Sequence, residues 1–427
     1  VAGRVFGTMH GRKRETLDES RARREASLPK VKLIRALQDD AIRRRREKVY
    51  DATSMAVTAR LLEINPEVLT AWNFRREAIA AFERERRGAP SDATEDHEPL
   101  CGVSARAKPN VDAREVGNLA DELALTERCL RKHPKSYPTW HHRKWCVARA
   151  ARGEDSESEQ VSSLLETELS MSKSLLDLDD RNFHGWGYRR FVVALMSTRV
   201  RGSNANRREV GEEGVGEIST ASALSELRYS EEKIERNFSN YSAWHHRAAC
   251  LPRAFSVSSS VAGTRETNAN EGDGAGTSGG DDEIKNASED RNLPRPSSAF
   301  VPERVLANEY ALVRQALFTE PEDQAGWMYH RWLTAQTLNN RRRAEGAEFA
   351  AEKEESSAGA EFASEADALA ELCELEPECK WPVLTLARLC DLKGTDTGAA
   401  ESAARFDQLK RLDPTRRGFY CDCGGRA

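Results

Sequence analysis

The sequence predicts an all-α protein, an α-α superhelix in which helical hairpins stack as a solenoid. Three features predict it. Apolar residues recur at helical spacing in stretches such as "EVGNLADELALTERCLRKHP", "SLLETELSMSKSLLDLDD" and "RVLANEYALVRQALFTEP", a stripe that buries one face of a helix. Convincing alternation of apolar and polar residues, the mark of half-buried strands, is absent. A tryptophan-centred motif also repeats along the chain, as expected of architectures whose units bury their apolar faces only by stacking on neighbours.

In chain order the copies are "INPEVLTAWNFRRE", "KHPKSYPTWHHRKW", "LDDRNFHGWGYRRF", "RNFSNYSAWHHRAA" and "TEPEDQAGWMYHRW", anchored at Trp72, Trp140, Trp186, Trp244 and Trp327. A degenerate sixth copy is "LEPECKWPVLTLAR". All eight tryptophans fall within these six copies, so the aromatic content belongs to the repeat. Each copy encodes two helices. The first ends near Asn65-Pro66, His133-Pro134 or Glu320-Pro321, because proline cannot continue the helical ladder and steers the preceding residue out of the helical region. Four residues before the tryptophan stands Ser136, Asn182, Asn240 or Asp323, a good N-cap for the second helix. Within that helix the tryptophan shares a face with the arginine three residues later, Arg75, Arg143, Arg189 or Arg247.

Spacing between anchors ranges from 46 to 83 residues, and the longer gaps contain low-complexity sequence. Residues 9–420 therefore read as one helical-repeat domain interrupted at about 87–116, 199–222, 255–298 and 341–364. The last of these is Ala/Glu-rich and partly helical in pattern; the glycine-rich ones lack the apolar surface that offsets ordering entropy. Their glycines match neither a phosphate loop nor a dinucleotide fingerprint. Residues 1–8, before Met9, read as an extension, and 421–427 as a flexible tail.

The 65 basic residues are balanced by 70 acidic ones, which argues against a nucleic-acid binder. The basic run "AIRRRREKVYD" reads as a solvated helix face or as a contact for an acidic partner. Nine cysteines show no paired framework and no double CxxC, the pattern of reduced thiols. No apolar run approaches the roughly 20 residues of a membrane span, and no secretory segment opens the chain. A soluble, cytoplasmic protein is the expectation.

The stretch "HPKSYPTWHHRKW", residues 133–145, is dense in reactive side-chain types. His141 and His142 are adjacent on a helix and point about 100° apart, so they do not form the i, i+4 pair of a metal site. Cys146 lies near His142, but a cysteine on an apolar face is by default a packing residue. Trp140 and Trp145 read as packing, with Arg143 bonded to neighbouring carbonyls or carboxylates. Lys135 differs. Five residues before the anchor, the other copies carry Glu67, Arg181, Ser239, Glu322 and Glu378, so the repeat does not require lysine there. It precedes a helix N-terminus, whose free N–H groups and dipole favour anions. A cation at that place suits a phosphate-bearing ligand.

Tandem copies of a Pro…Asn-aromatic-x-x-Trp-x-x-Arg pattern resemble the α subunits of protein prenyltransferases over roughly residues 9 to 420. Three details resemble the Rab geranylgeranyltransferase (type II) branch: "MHGRKR" from Met9, "DQAGWMYHRWL" from Asp323, and "LEPECKWPVLTL" from Leu375. In the farnesyl and type I geranylgeranyl enzymes a glutamine follows the tyrosine of the second repeat and binds the substrate's CaaX carboxylate. Here Tyr137 is followed by Pro138, which carries no donor. The resemblance implies a crescent of hairpins around a separate β subunit that holds the catalytic zinc and most of the isoprenoid pocket. It further implies geranylgeranyl diphosphate as donor, Rab GTPases as acceptors and a Rab escort protein that presents them. By the same resemblance Lys135 matches the lysine that faces the isoprenoid diphosphate, Tyr137 lines the pocket beside it, and His184 holds a matching position one repeat later. For His184 a packing or interface role is the alternative. Two rival readings stay open: a shared α subunit of the CaaX enzymes, and a non-catalytic helical scaffold.

Overall fold

The computed structural model describes residues 16–86, 118–152, 159–200, 218–255, 300–347, 358–392 and 395–424. Among them the regular structure is helical, so the all-α class is as expected. The chain divides into two compact units, residues 1–167 and 168–427.

The first unit contains α1 (Leu17–Arg46), α2 (Ala52–Ile64), α3 (Leu69–Arg86), α4 (Leu119–Lys132) and α5 (Tyr137–Arg152), with the start of α6 (Glu159–Leu178). Side-chain caps begin several helices: Asp51 accepts from the Ser54 N–H before α2, and Asn118 from the Ala120 N–H before α4, each satisfying a donor that the helix leaves unpaired. Helices α2 and α3 form one hairpin and α4 and α5 the next; α4 packs on α2 and α5 on α3.

The second unit contains the rest of α6, then α7 (Phe183–Val200), α8 (Thr220–Arg236), α9 (Tyr241–Phe255), α10 (Glu303–Thr319), α11 (Gln324–Ala347), α12 (Ala358–Leu375), α13 (Lys380–Leu392), α14 (Asp396–Leu412) and α15 (Arg417–Gly424). Here too the second helices stack in series, α7 on α9, α9 on α11 and α11 on α13. This is the stacking that an isolated hairpin cannot supply for itself.

Two side-chain devices repeat from copy to copy. In all five copies the tryptophan is buried, and its indole N–H donates to the carbonyl six residues back, in the turn between the helices. The acceptors are Pro66, Pro134, Asp180, Phe238 and Pro321, at 2.8–2.9 Å. Burial of so large a ring leaves one polar atom needing a partner, and the turn provides it.

The second device is a buried carboxylate eighteen residues before the anchor. Glu122 accepts from His142 of its own hairpin at 2.8 Å and, two-pronged, from Arg75 of the preceding one at 3.0 and 2.5 Å. Glu226 accepts from His246 and Arg189, and Glu309 from Tyr329 and Arg247, all at 2.6–2.8 Å. Tyr188 donates to Glu168 in the same way. Arg75, Arg143 and Arg247 also reach back into their own hairpins: Arg143 donates to the Leu123 carbonyl and the Thr126 hydroxyl, both at 2.8 Å. In the fifth copy His330 replaces the arginine and still donates to Glu365 at 3.0 Å. In the first copy Phe74 has no donor to offer, and Ser54 stands where the glutamate would be. The sixth copy places buried Val383 at the anchor.

Several expected boundaries need correction. The insertion expected at 199–222 is helical at both margins, since α7 reaches Val200 and Ser219 caps α8. That expected at 341–364, partly helical in pattern, is entered by α11 and left by α12, in keeping with that pattern. Residues 421–424, expected in a flexible tail, lie in α15, where buried Tyr420 donates to Asp413 at 3.2 Å and joins Phe406 and Leu409 in a small core. So short a helix depends on tertiary packing rather than propensity, which is why no periodic signal announced it. The interruption expected at 87–116 and the extension at 1–8 lie outside the described residues.

Two outcomes follow from the buried carboxylates. Glu122→Ala or Glu226→Ala strands a buried arginine and is expected to cost about 3–5 kcal/mol, read by denaturant titration. Burial alone would raise the pKa of these carboxyls, but the histidine hydrogen bond and the arginine charge outweigh it and hold both at about 2 against an ordinary 4.5. Both therefore release their protons more readily folded than unfolded. Their stabilisation is complete above about pH 4.5 and is lost as the pH falls toward 2, so the denaturation midpoint should drop steeply through that window.

Candidate functional site

Lys135 sits with Pro134 in the turn between α4 and α5, and its side chain is exposed. The turn is fixed from three sides. The Ser136 N–H donates to the His133 carbonyl at 3.1 Å, the Trp140 N–H to the Ser136 carbonyl at 3.2 Å, and the Trp140 indole to the Pro134 carbonyl at 2.8 Å. Buried Ser136 also accepts the Thr139 hydroxyl at 2.9 Å. Lys135 is thus held on a short, rigid arch at the head of a sixteen-residue helix, whose unsatisfied N–H groups attract negative charge.

Tyr137 is the first residue of α5 and is 60% exposed. One turn along, its ring stacks on His141, with centroids 5.8 Å apart and planes inclined by 17°. Pro138, next to it, is buried; in the first turn of a helix proline loses no ladder bond. The structure therefore brings Lys135 and Tyr137 together on one turn of the first unit. His184 belongs to the second unit. It is the second residue of α7, half-buried, with its N–H on Asn182 Oδ1 at 3.1 Å and its ring edge-on to exposed Phe183 at 5.6 Å.

The two adjacent histidines diverge as helical geometry requires. His142 is fully buried; its Nε2 lies 2.8 Å from Glu122, while Nδ1 receives Arg76 Nε at 3.4 Å. Burial holds its pKa below the ordinary value despite Glu122, so the ring is a neutral donor in the carboxylate device. His141 is half-buried, and its Nδ1 faces Arg76 Nη2 at 2.8 Å. The guanidinium groups of Arg76 and Arg149 each lie over the Trp145 ring, at 5.5 and 5.2 Å, a cation–π arrangement. Burial pushes the Cys146 thiol well above its usual range, which leaves no nucleophilic thiolate at neutral pH. Among the described residues no three His, Cys, Asp or Glu side chains gather as a metal-holding set, and no helix is long and apolar enough to cross a membrane.

Two cavities lie elsewhere. One of about 390 Å³ opens between α1, α2 and α3, and one of about 250 Å³ between the end of α6 and α8. In the second, Lys233 is already committed to Asp177 at 2.5 Å and the Leu176 carbonyl at 3.2 Å. Sequence reasoning passed over Arg76 and the part His141 plays beside Tyr137. Their signal was present: the tyrosine and histidine stand at i, i+4, the spacing of helical neighbours.

The sequence matches the protein prenyltransferase alpha subunit repeat four times, at residues 119–150, 165–196, 224–254 and 306–337. It is 30% identical over 330 residues to geranylgeranyl transferase type-2 subunit alpha of Rattus norvegicus, a match covering 76% of this chain and 41% of that protein. The Candida albicans protein of the same name is 27% identical, covering 77% of this chain and 74% of the relative. The Arabidopsis thaliana type-2 subunit alpha 2 is 29% identical, at 77% and 36%. The chain thus spans about two fifths of the length of the rat protein. Among solved structures, Candida albicans protein geranylgeranyltransferase-I complexed with GGPP superposes with a TM-score of 0.51 over 91% of this chain and 89% of that one, at 14% identity, a likeness of fold alone.

Stacked hairpins, a buried tryptophan bonded to its own turn, and the matched repeats define an alpha-subunit helical-repeat protein. The chain carries four copies of the protein prenyltransferase alpha subunit repeat and is similar to proteins of that family. Among these, it is similar to the alpha subunits of the type-2 geranylgeranyl transferases.

Thiol labelling gives a check on these environments. Exposed Cys421 should react rapidly with an alkylating reagent in the native protein, while buried Cys129 and Cys146 should react only on unfolding. Peptide mapping after a short pulse distinguishes them.

Proposed function

We propose that this chain is the α subunit of a heterodimeric Rab geranylgeranyltransferase. The assembled enzyme would transfer geranylgeranyl from its diphosphate to C-terminal cysteines of Rab GTPases presented by an escort protein, forming a thioether and releasing diphosphate. The observation that carries this reading is the turn before α5, where an exposed lysine, found at this register in no other hairpin, is held at a helix N-terminus. The relatives named type-2 subunit alpha, similar over about three quarters of this chain, support the branch.

In this reading Lys135 is the catalytic cation. Negative charge grows on the diphosphate as the C–O bond lengthens, and a fixed ammonium aimed at it is worth more in the transition state than in the ground state. The N-terminus of α5 reinforces that preference for anions. Tyr137 would line the pocket beside the lysine, and His184 would take a matching place in the following hairpin. The zinc, held by the partner β subunit, would activate the cysteine by favouring its thiolate. Pro138 bears on the substrate: buried and without an N–H, it offers nothing to a CaaX carboxylate, which favours the Rab branch over the CaaX enzymes. A lysine at this turn position in one hairpin alone favours a catalytic subunit over a passive scaffold.

Co-expression with candidate β subunits, followed by prenyl transfer to escorted Rab and to CaaX peptides, tests this. Transfer to Rab and not to CaaX is expected; the reverse would overturn the branch. Lys135→Ala should slow turnover on the order of 10²-fold in a heterodimer that still assembles, and unchanged turnover would remove the lysine from the mechanism.

A further inference from the structure

We propose that His141, backed by Arg76, is a positioning residue for Tyr137, holding the phenol ring beside Lys135 at the head of α5. The inference rests on the reading of Lys135 and Tyr137 given above and adds to it the means by which the tyrosine is aimed.

Ordering an exposed tyrosine ring costs side-chain entropy. Tyr137 nevertheless lies flat against His141, one turn along the same helix. His141 is in turn gripped from the preceding hairpin, where Arg76 Nη2 meets its Nδ1 at 2.8 Å. A guanidinium only donates, so Nδ1 must carry the lone pair and the ring proton resides on Nε2. Arg76 has its own anchors: Nε reaches His142 Nδ1 at 3.4 Å, and its guanidinium lies 5.5 Å from the Trp145 ring centre. A chain of contacts therefore runs from α3 through one imidazole to the tyrosine ring, and it joins two hairpins at the place where Lys135 is presented.

The repeat itself does not demand this arrangement. At the tyrosine and histidine places the third hairpin has Phe183 and Gly187, and the fifth has Gln324 and Met328. The fourth hairpin does carry Tyr241 and His245, with ring centres 6.4 Å apart and planes at 43°. Burial and then the nearby Arg190 hold His245 down to about 4. There, however, the tyrosine is half-buried and Ser239 stands at the lysine place. The fourth hairpin thus supplies an internal control, with the same residue types in a packing role.

The test is steady-state kinetics on the co-expressed heterodimer with geranylgeranyl diphosphate and an escorted Rab substrate. His141→Ala should lower kcat on the order of tenfold, since small displacements of a positioned group are costly, with a much smaller change in KM for the diphosphate. His141→Phe, which keeps a flat ring at the stacking position, should recover most of that loss. Tyr137→Ala/His141→Ala should be no slower than Tyr137→Ala alone, because two residues acting through one group are not additive. His245→Ala should leave kcat unchanged, whatever it does to the melting temperature. Additive losses in the double variant, or wild-type kcat for His141→Ala beside an impaired Tyr137→Ala, would overturn the positioning role. Wild-type turnover by Tyr137→Ala would instead overturn the reading of the site on which it rests.

Discussion

The buried glutamate carried by each hairpin after the first is the interaction on which the rest of the structure depends. A lone carboxylate inside a helical stack would be prohibitively costly, and so would a lone guanidinium. Placed together with a polar ring donor they satisfy one another, and the geometry that satisfies them specifies how hairpins meet. Glu122 ties its own α5 through His142 and the preceding α3 through Arg75. Register along the solenoid is thereby fixed by hydrogen bonds, which are directional, as well as by apolar contact, which is not. The first copy has Phe74 at the donor place and Ser54 at the carboxylate place, so neither member is left buried without the other there.

That scaffold accounts for the rigidity of the turn before α5. Trp140 is anchored in the core and bonded to the Pro134 carbonyl, so the arch bearing Lys135 is stapled to its helix from beneath. The same Arg76 that contacts His142 of the buried carboxylate device also contacts His141 at the surface. Packing and presentation are thus coupled through one guanidinium. A loop that must offer a charged side chain at a defined place gains from being built on rigid elements, and here the rigidity comes from the repeat.

The repeat also explains why so many reactive residue types are chemically quiet. The fully buried histidines His142, His246 and His330 each face a glutamate. Cys129 and Cys146 are buried, and burial raises both thiols. Functional candidates are instead the residues in excess of what stacking needs, namely Lys135, exposed Tyr137 and, in the second unit, His184. That distinction separates the two halves of "HPKSYPTWHHRKW".

The all-α class, the hairpin repeat, the tryptophan anchors and the arginine face were legible in the sequence, because helical periodicity and proline punctuation are local properties written every few residues. Lys135 was legible too, since only a comparison among copies was needed to see that the repeat does not require it. What tertiary structure decided were pairings across long sequence separations: Arg75 with Glu122, Arg247 with Glu309, and Arg76 with His141. Interruptions of variable length separate these partners, and no local pattern encodes which hairpin neighbours which. The same holds for α15, whose eight residues are helical because Tyr420 finds Asp413 and the α13–α14 core. Sequence determined the unit; only stacking determined how its buried charges are shared.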